Sequence, residues 1–322
     1  MTPGAGAARV TPRQHFDAYA AERRGFAPAG FQVEGLPGLA RCVALNPRAE
    51  GFVHFVDLPG DRADAAIDEQ IEFFAALKQR FEWKWYAFDA PADLPQRLRR
   101  RGFEADAPEA FLVLETACHA ARRCEAAALP AGVELLEVGV DIESGAGLRA
   151  LVALQEGEWG ALPWLYDHLA GQLADARSGL RLFLARSDAA IVGSGLLTRP
   201  AGSSIADLRG GAVVARWRGR GVYSALLGVR VGAARAAGVK TLAVDAAPMS
   251  RPILEAKGFR FVCDTVPFRL PGADPAPPAA RLQRDLHPAA ALASSGQRFC
   301  SQCGGEAAAA RFCSNCSAAL AG

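Results

Sequence analysis

Residues 213–227 read Val-Val-Ala-Arg-Trp-Arg-Gly-Arg-Gly-Val-Tyr-Ser-Ala-Leu-Leu, an apolar strand end that runs through a basic, glycine-bearing turn into an amphipathic helix. The first amides of a helix have no intrahelical acceptor, and the helix dipole places partial positive charge at the same end. Glycine lets an anion approach the backbone, and Arg216, Arg218 and Arg220 add full positive charge. The stretch therefore predicts an anion-binding site at the start of a helix.

The composition of the whole chain indicates a globular protein of about two domains, since 322 residues can bury more than one core. Hydrophobic residues make up 51% and charged residues 22%. A formal net charge of +2 gives no general attraction to nucleic acid or to an anionic membrane. We therefore expect a charged ligand to be held by a local cluster, no membrane partner, and no nucleic-acid partner.

The chain shows no targeting or membrane-spanning pattern. Residues 1–10 lack a cationic region followed by an apolar run, and no stretch of about 18 apolar residues occurs. Eight cysteines are too few for a disulfide scaffold in a chain of this length. We expect a cytoplasmic protein.

Hydrophobic periodicity predicts an α/β chain in which strands and helices alternate. The first part has predicted strands at 31–45, 51–58, 83–88 and 110–114, with helices around 67–77 and 94–101. The second part has predicted strands at 133–138, 180–185, 191–198, 204–215, 241–244 and 259–270, helical segments at 142–174 and 222–237, and a helix that ends near 257.

Two parts of the chain repeat one pattern. The tetrapeptides 87–90 and 243–246 both read Ala-x-Asp-Ala, and each aspartate stands thirteen residues before a Gly-Phe pair. The offset is 156 residues for both features, and it also places the helical pattern of 67–77 on that of 223–233. An internal duplication is the simplest explanation, with a chance match of two unrelated βαβ units as the alternative.

The first copy of the anion site differs in its chemistry. The offset aligns 218–223 with 62–67, which has no glycine and carries Asp64. A carboxylate repels a phosphate at the position where the second copy supplies cations. We expect the second copy alone to bind an anion here.

The second copy resembles the GNAT superfamily of acetyl-CoA-dependent N-acetyltransferases, whose signature Arg/Gln-x-x-Gly-x-Gly/Ala joins a strand to a helix. Arg216-x-x-Gly219-x-Gly221 fits the letters, but a frame that starts at Arg218 and ends at Tyr223 fits the surroundings better, because the helix follows it directly. The resemblance covers about residues 130–270. It departs from the signature at Tyr223, where the family has a small residue.

The resemblance implies a GNAT fold of α/β (α+β) class, a mixed, splayed sheet flanked by helices and here duplicated in tandem. It also implies acetyl-CoA as co-substrate. The pantetheine arm would pair with the fourth strand and the pyrophosphate would bind at the turn, which gives as cofactor-binding residues Gly211, Ala212, Val213, Val214, Arg218, Gly219, Arg220, Gly221, Val222, Tyr223 and Ser224.

The resemblance says less about the acid and the base. Many family members have a proton-donating tyrosine where this chain has Leu254, so water or Tyr223 would have to protonate the thiolate. The candidate bases are Asp207, Asp245, Glu156 and Glu158, of which we favour Glu158, although for each of them a structural role is favoured over catalysis. The aromatic residues Trp159, Trp164 and Tyr166 could line an acceptor pocket, but core packing is the favoured interpretation.

The C-terminal tail carries a metal-ligand pattern, Cys300-x-x-Cys303 followed by Cys313-x-x-Cys316. Two such pairs place four thiolates around one tetrahedral zinc ion, and a closed shell of four thiolates is structural. The tail resembles short bacterial zinc-ribbon modules. Two disulfides are the alternative to zinc. Because the tail has few basic residues, we favour protein contact or stability over nucleic-acid binding as its purpose.

These observations predict four regions: a degenerate GNAT-like domain at 1–125, a GNAT domain at 130–271, a Pro/Ala-rich linker at 272–297 and a zinc ribbon at 298–322. The predicted function is transfer of an acetyl group to a primary amine of a small molecule or a protein. The first half would help to shape the acceptor side or would be purely structural. The alternative is a non-catalytic acetyl-CoA-binding protein that engages a protein partner through its zinc ribbon.

Overall fold

The chain folds into two halves with similar element order. The computed structural model describes residues 10–27, 30–47, 49–138 and 145–271, together with two short strands in the tail. The first half contains α1 (Pro12–Arg24), β1 (Phe31–Leu36), β2 (Leu39–Ala44), β3 (Gly51–His54), α2 (Gly60–Ala76), β4 (Phe81–Tyr86), α3 (Leu94–Arg100), β5 (Glu104–Ala105) and β6 (Glu109–Glu115).

The second half continues with α4 (His119–Glu125), β7 (Glu134–Val138), α5 (Ala146–Trp159), α6 (Leu165–Ala174), β8 (Leu180–Ser187), β9 (Ala190–Thr198), β10 (Ile205–Val213), α7 (Val222–Ala236), β11 (Thr241–Ala246), α8 (Arg251–Ala256) and β12 (Arg260–Arg269). In the tail, β13 (Arg298–Phe299) pairs antiparallel with β14 (Glu306–Ala307). None of the described helices is both long and apolar enough to cross a bilayer.

Local turn chemistry explains where the elements differ from the sequence predictions. The segment predicted as one strand at 31–45 is a hairpin, because the chain turns at Gly38, whose φ is 82°. The strand predicted at 51–58 ends at His54, since the chain turns at Phe55 with a φ of 55°. Helix α1 was not predicted, although Thr11 and Gln14 form a capping box that marks its start.

The two halves share one mixed sheet and exchange their last strands. The strand order is β1-β2-β3-β4-β12-β6-β11-β10-β9-β8-β7, so β12 pairs with β4 of the first half and β6 pairs with β11 of the second. These central pairings are all antiparallel. Each half therefore completes its sheet with a strand from the other, which the sequence did not predict.

The order of elements agrees with an internal duplication. In each half a strand, a long helix and a parallel strand follow one another, as β3-α2-β4 and as β10-α7-β11. The short helices α3 and α8 both end just before a glycine with positive φ, Gly102 at 85° and Gly258 at 98°. The domain boundaries stay a prediction, because a continuous sheet marks none.

Side chains from both halves form the core at the exchange. Phe16 of α1 lies with its ring centroid 5.3 Å from that of Tyr86 and 6.4 Å from that of Phe111. Ile205 and Val262 belong to the same buried cluster. Helix α1 thus covers the junction of the halves.

The linker and the zinc-ligand residues Cys300, Cys303, Cys313 and Cys316 lie outside the described residues.

Because β6 and β12 belong to both halves, we predict that the described sheet unfolds as one unit. Replacing the fully buried Leu112 of β6 with alanine should lower the free energy of unfolding by about 2–5 kcal/mol. Hydrogen exchange should then accelerate in β4 and in β10 alike. The matched control is Leu129→Ala at an exposed site, which should change stability by less than about 0.5 kcal/mol. Destabilisation confined to one half would contradict the shared sheet.

Candidate functional site

Strands β10 and β11 separate after a short parallel ladder and leave a cleft between them. They pair from Ile205 and Thr241 to Asp207 and Ala243, and β10 then continues to Val213 without this partner. The β10–β9 register shifts between Arg209 and Ala212, which marks a bulge. A cavity of about 340 Å³ lies in the cleft and is lined by the end of β10, the start of α7 and the start of α8. We call it the cleft cavity.

The start of α7 provides the backbone geometry of an anion site. Gly219 and Gly221 have φ values of 72° and 86°, which L side chains rarely adopt, and Gly221 is the N-cap. A Cβ at position 221 would meet nothing closer than 3.5 Å, so the space before the helix amides is open. The exposed Arg216 and Arg220 flank the turn, and the Arg220 guanidinium lies 5.0 Å from the Trp217 ring centroid.

Arg218 makes two polar contacts beside the cleft, one to β10 and one to α5. Its Nε donates to the Val213 carbonyl at 3.0 Å, and its Nη2 donates to Glu158 Oε2 at 2.5 Å. The Glu158 carboxylate is therefore engaged by a cation. Its assignment as base stays a prediction, and the geometry gives it the role of orienting Arg218.

Tyr223 fits beside β10 because the residue of β10 next to its ring, Gly211, has no side chain. A Cβ at Gly211 would lie 3.2 Å from Tyr223 Cε2, and burial raises the pKa of the phenol. The buried Arg230 of the same helix donates from Nε to the Leu226 carbonyl at 2.8 Å. Burial lowers the pKa of its guanidinium. Tyr223 and Arg230 both line the cleft cavity.

The remaining predicted cofactor residues lie around the same cleft. Those that line the cavity are Gly211, Ala212, Val213, Arg218, Gly219, Gly221, Val222, Tyr223 and Ser224. Val214 and Arg220 are sequence neighbours of lining residues, but they do not line the cavity themselves. Leu254 also lines it, so an apolar side chain stands where the resemblance expected a proton donor.

The corresponding place in the first half is occupied by ion pairs. Asp64 of α2 accepts from Arg97 Nη1 and from Arg101 Nη1, both at 2.8 Å. Helix α2 begins at Gly60, six residues earlier than the repeat offset would place it. A carboxylate that is already paired with two arginines leaves no positive site for a phosphate.

A second cavity of about 570 Å³ adjoins the cleft cavity on the face of the sheet between the halves. We call it the central cavity. Its lining includes Tyr19 of α1, His54 of β3 and Lys84 of β4 from the first half, and Asp207 of β10 from the second. Seven residues line both cavities and so mark their junction: Glu109, Trp159, Leu208, Arg209, Gly210, Val244 and Asp245.

Three strands bring a cluster of charged side chains to this junction. Lys84 Nζ lies 2.5 Å from Glu109 Oε2 and 3.3 Å from Asp245 Oδ2. The Tyr86 hydroxyl donates to Asp245 Oδ2 at 3.4 Å. Lys84 comes from β4, Glu109 from the exchanged strand β6 and Asp245 from β11. We call these three residues the junction cluster.

Burial makes the carboxylates of the junction cluster basic. It raises the pKa of the Glu109 carboxyl to about 7, although the Lys84 ammonium acts in the opposite direction. Burial also raises the pKa of Asp245, and the attraction of both carboxylates holds the pKa of Lys84 above its usual value despite burial. Asp245 Oδ1 is buried and receives no hydrogen bond from the described residues. The cluster can thus bind an N–H group and accept a proton near neutral pH.

The repeat-related aspartate of the first half has a different environment. Asp89 accepts hydrogen bonds from the backbone N–H groups of Val56 at 3.0 Å and Tyr86 at 2.9 Å. Both of its oxygens are therefore engaged in holding a turn. The same sequence pattern serves structure in the first half and faces a cavity in the second.

The other residues singled out from the sequence are dispersed. Asp207 lines the central cavity but is paired with Arg23 Nη2 at 2.9 Å. Trp159 lines both cavities, whereas Trp164 and Tyr166 pack against the leucine-rich core of α5, α6 and β8. The sequence analysis missed Lys84 and Glu109, because no spacing pattern relates residues on β4 and β6. The one signal was Lys84 within the aromatic strand 81–86.

Comparison with known proteins identifies the fold. No family model and no curated protein matches the sequence. Among solved structures, the chain is similar to a GCN5-related N-acetyltransferase from Kribbella flavida, with 15% identity and a TM-score of 0.59 over 83% of this chain and 97% of that one. A GCN5-related N-acetyltransferase from Sphaerobacter thermophilus matches with 17% identity and a TM-score of 0.53, over 75% and 78% of the two chains. The prediction of a GNAT fold is therefore confirmed.

Proposed function

We propose that the protein is an N-acetyltransferase that moves an acetyl group from acetyl-CoA to a primary amine bound between its two halves. The observation that carries this proposal is the junction of the two cavities. The cleft cavity leads from the glycine-bearing start of α7 to the β10 bulge, and the central cavity reaches the same point from the other side. A thioester and an amine could meet there.

The residues of the cleft fit the co-substrate. The open space before Gly221 and the free first amides of α7 suit a diphosphate, and nearby arginines supply charge. Beyond Asp207, β10 has an edge that β11 does not pair, which suits the amide groups of a pantetheine arm. The bulge around Gly210 borders both cavities, and a backbone N–H there would stabilise the developing oxyanion of a thioester bound at the junction.

The junction cluster supplies the base. The amine must lose a proton to attack the thioester carbon, and Glu109 has a pKa suited to accepting it, with Asp245 Oδ1 placed to bind a second N–H. Attack forms the C–N bond, the C–S bond then breaks, and the thiolate leaves with its electron pair. Because Leu254 carries no proton, water or Tyr223 protonates the thiolate.

We predict that Gly221→Glu weakens acetyl-CoA binding by roughly 100- to 1000-fold, since it places a carboxylate among the phosphates. Isothermal titration calorimetry would measure the affinity. The matched control is Gly238→Glu, which puts the same residue at the other end of α7, where φ is also positive and the space is open. Equal affinities for the two variants would contradict the cofactor site.

We predict that Glu109→Gln lowers kcat by roughly 100-fold or more, the usual contribution of a general base. In the native protein, kcat/KM should rise with pH through about 7 as Glu109 loses its proton, and the variant should lack this rise. The control is Glu69→Gln on the exposed face of α2. A rise with the same midpoint in Glu109→Gln would assign the base elsewhere. Tight acetyl-CoA binding without thiol release for any amine would instead favour a non-catalytic binding protein.

We further propose that the tail is a structural zinc ribbon, with Cys300, Cys303, Cys313 and Cys316 as ligands. Its support is the ligand spacing together with the antiparallel pair of β13 and β14, which brackets the first Cys-x-x-Cys pair in sequence. Zinc would hold together a segment too short to bury a core. A protein partner, if the ribbon has one, would bind there.

We predict that the full chain binds one zinc ion and that Cys300→Ser abolishes this binding. The control Cys118→Ser should still bind one zinc ion, because Cys118 is not among the proposed ligands. Serine can replace Cys118 as the cap of helix α4, so the fold should be kept. Elemental analysis of the purified proteins would give the stoichiometry. Two ions, or none after refolding with zinc, would contradict a single site formed by the four cysteines.

A further inference from the structure

We propose that the amine acceptor is a free α-amino acid, whose carboxylate binds Arg209 while its amino group binds at the junction cluster. This inference rests on the proposed function and specifies its substrate class. It follows from the charges that line the central cavity, from the position of Arg209, and from the character of the remaining wall.

Most charges of the central cavity are already paired with one another. Arg23 pairs with Asp207, and Arg269 pairs with Glu82 and Asp106. Burial lowers the pKa of His54 to about 3, so its imidazole is neutral at physiological pH. Both of these arginines are thus already engaged by carboxylates, and the set has a formal charge of −1.

Arg209 is the exception among the cationic residues of this cavity. Its side chain is exposed, its Nη2 donates to Thr198 Oγ1 at 2.9 Å, and no carboxylate of the described residues pairs with it. Strand geometry places it on the same face as Asp207, two residues earlier, which is the face of the central cavity. A guanidinium in this position is suited to a carboxylate, which it can bind through two parallel hydrogen bonds.

The opposite charge lies at the same junction. The junction cluster has two carboxylates and one ammonium, and Asp245 Oδ1 has no hydrogen-bond donor from the described residues. Arg209, Glu109 and Asp245 all line both cavities, so the anion-binding and ammonium-binding groups converge. An α-amino acid carries a carboxylate and an amino group on one carbon atom, and so offers a partner to each kind of group at this junction.

The rest of the central cavity suits the side chain of the amino acid. Tyr19 and Phe26 of the α1 region and Phe52 of β3 line it. A volume of about 570 Å³ lies in the usual range of small-molecule sites. We expect apolar or aromatic side chains to be preferred there.

The test compares acceptors that differ only in the carboxylate. Acetyl-CoA turnover by the full chain would be measured with the twenty L-amino acids, with their amides, and with matched amines such as 2-phenylethylamine for L-phenylalanine. Rates would be corrected for the fraction of neutral amine. We expect kcat/KM for the preferred amino acid to exceed that for its amide by roughly 10- to 100-fold, the range of a charge-assisted hydrogen bond.

The variant Arg209→Gln should remove this preference. It should lower kcat/KM for the amino acid by a similar factor, mainly through KM, and leave the amide within about twofold of the native value. The control Arg177→Gln changes an exposed arginine that pairs with Asp175 outside both cavities, and it should alter neither substrate.

The outcomes separate this inference from the proposed function. Turnover of amides or simple amines as fast as amino acids would overturn the inference and leave the transferase intact. An equal loss for both substrates in Arg209→Gln would also overturn it. Bound acetyl-CoA without transfer to any acceptor would overturn the proposed function itself.

Discussion

The antiparallel pairing of β6 with β12 in the middle of the sheet is the interaction on which the rest of the molecule depends. Each of these strands ends one half in sequence and completes the other half in space. The strand order β4-β12-β6-β11 places Lys84, Glu109 and Asp245 within reach of one another. Separate, self-contained halves would hold Asp245 on a different sheet from Lys84 and Glu109. The exchange of strands is thus a condition for the chemistry of the junction as well as for the stability of the core.

Features encoded within a short stretch of sequence could be predicted, and features that arise from distant pairing could not. The geometry of the expected anion site follows from the glycines at 219 and 221 and from the helix that starts directly after them. Asp64 at the aligned position of the first copy indicates in the same way that no phosphate binds there. The capping box before α1 was equally local and was overlooked. The strand exchange joins residues more than a hundred positions apart. Hydrophobic periodicity depends only on residues close together in the chain, so it could not predict the exchange. The role of Glu109 could not be predicted for the same reason, because its raised pKa comes from burial beside β12.

Environment, more than residue type, separates the carboxylates of this protein. Glu158 and Asp207 stand out in the sequence, yet each is paired with an arginine, Glu158 with Arg218 and Asp207 with Arg23. Glu109 and Asp245 are drawn into a less polar setting, where burial outweighs the nearby ammonium and raises the pKa of both. Asp89 shows a third outcome, a buried carboxyl fixed by two backbone amides. Candidates for proton transfer are therefore the acids whose pKa is raised by burial and which also line a cavity.

The position of β6 has a consequence for any shorter version of this chain. A chain without the first half would leave β11 without its antiparallel neighbour and would expose an open strand edge beside the cleft. Such an edge invites pairing with other chains and aggregation. The first half is therefore needed to protect the second half from its own unpaired edge, a role that requires no ligand of its own.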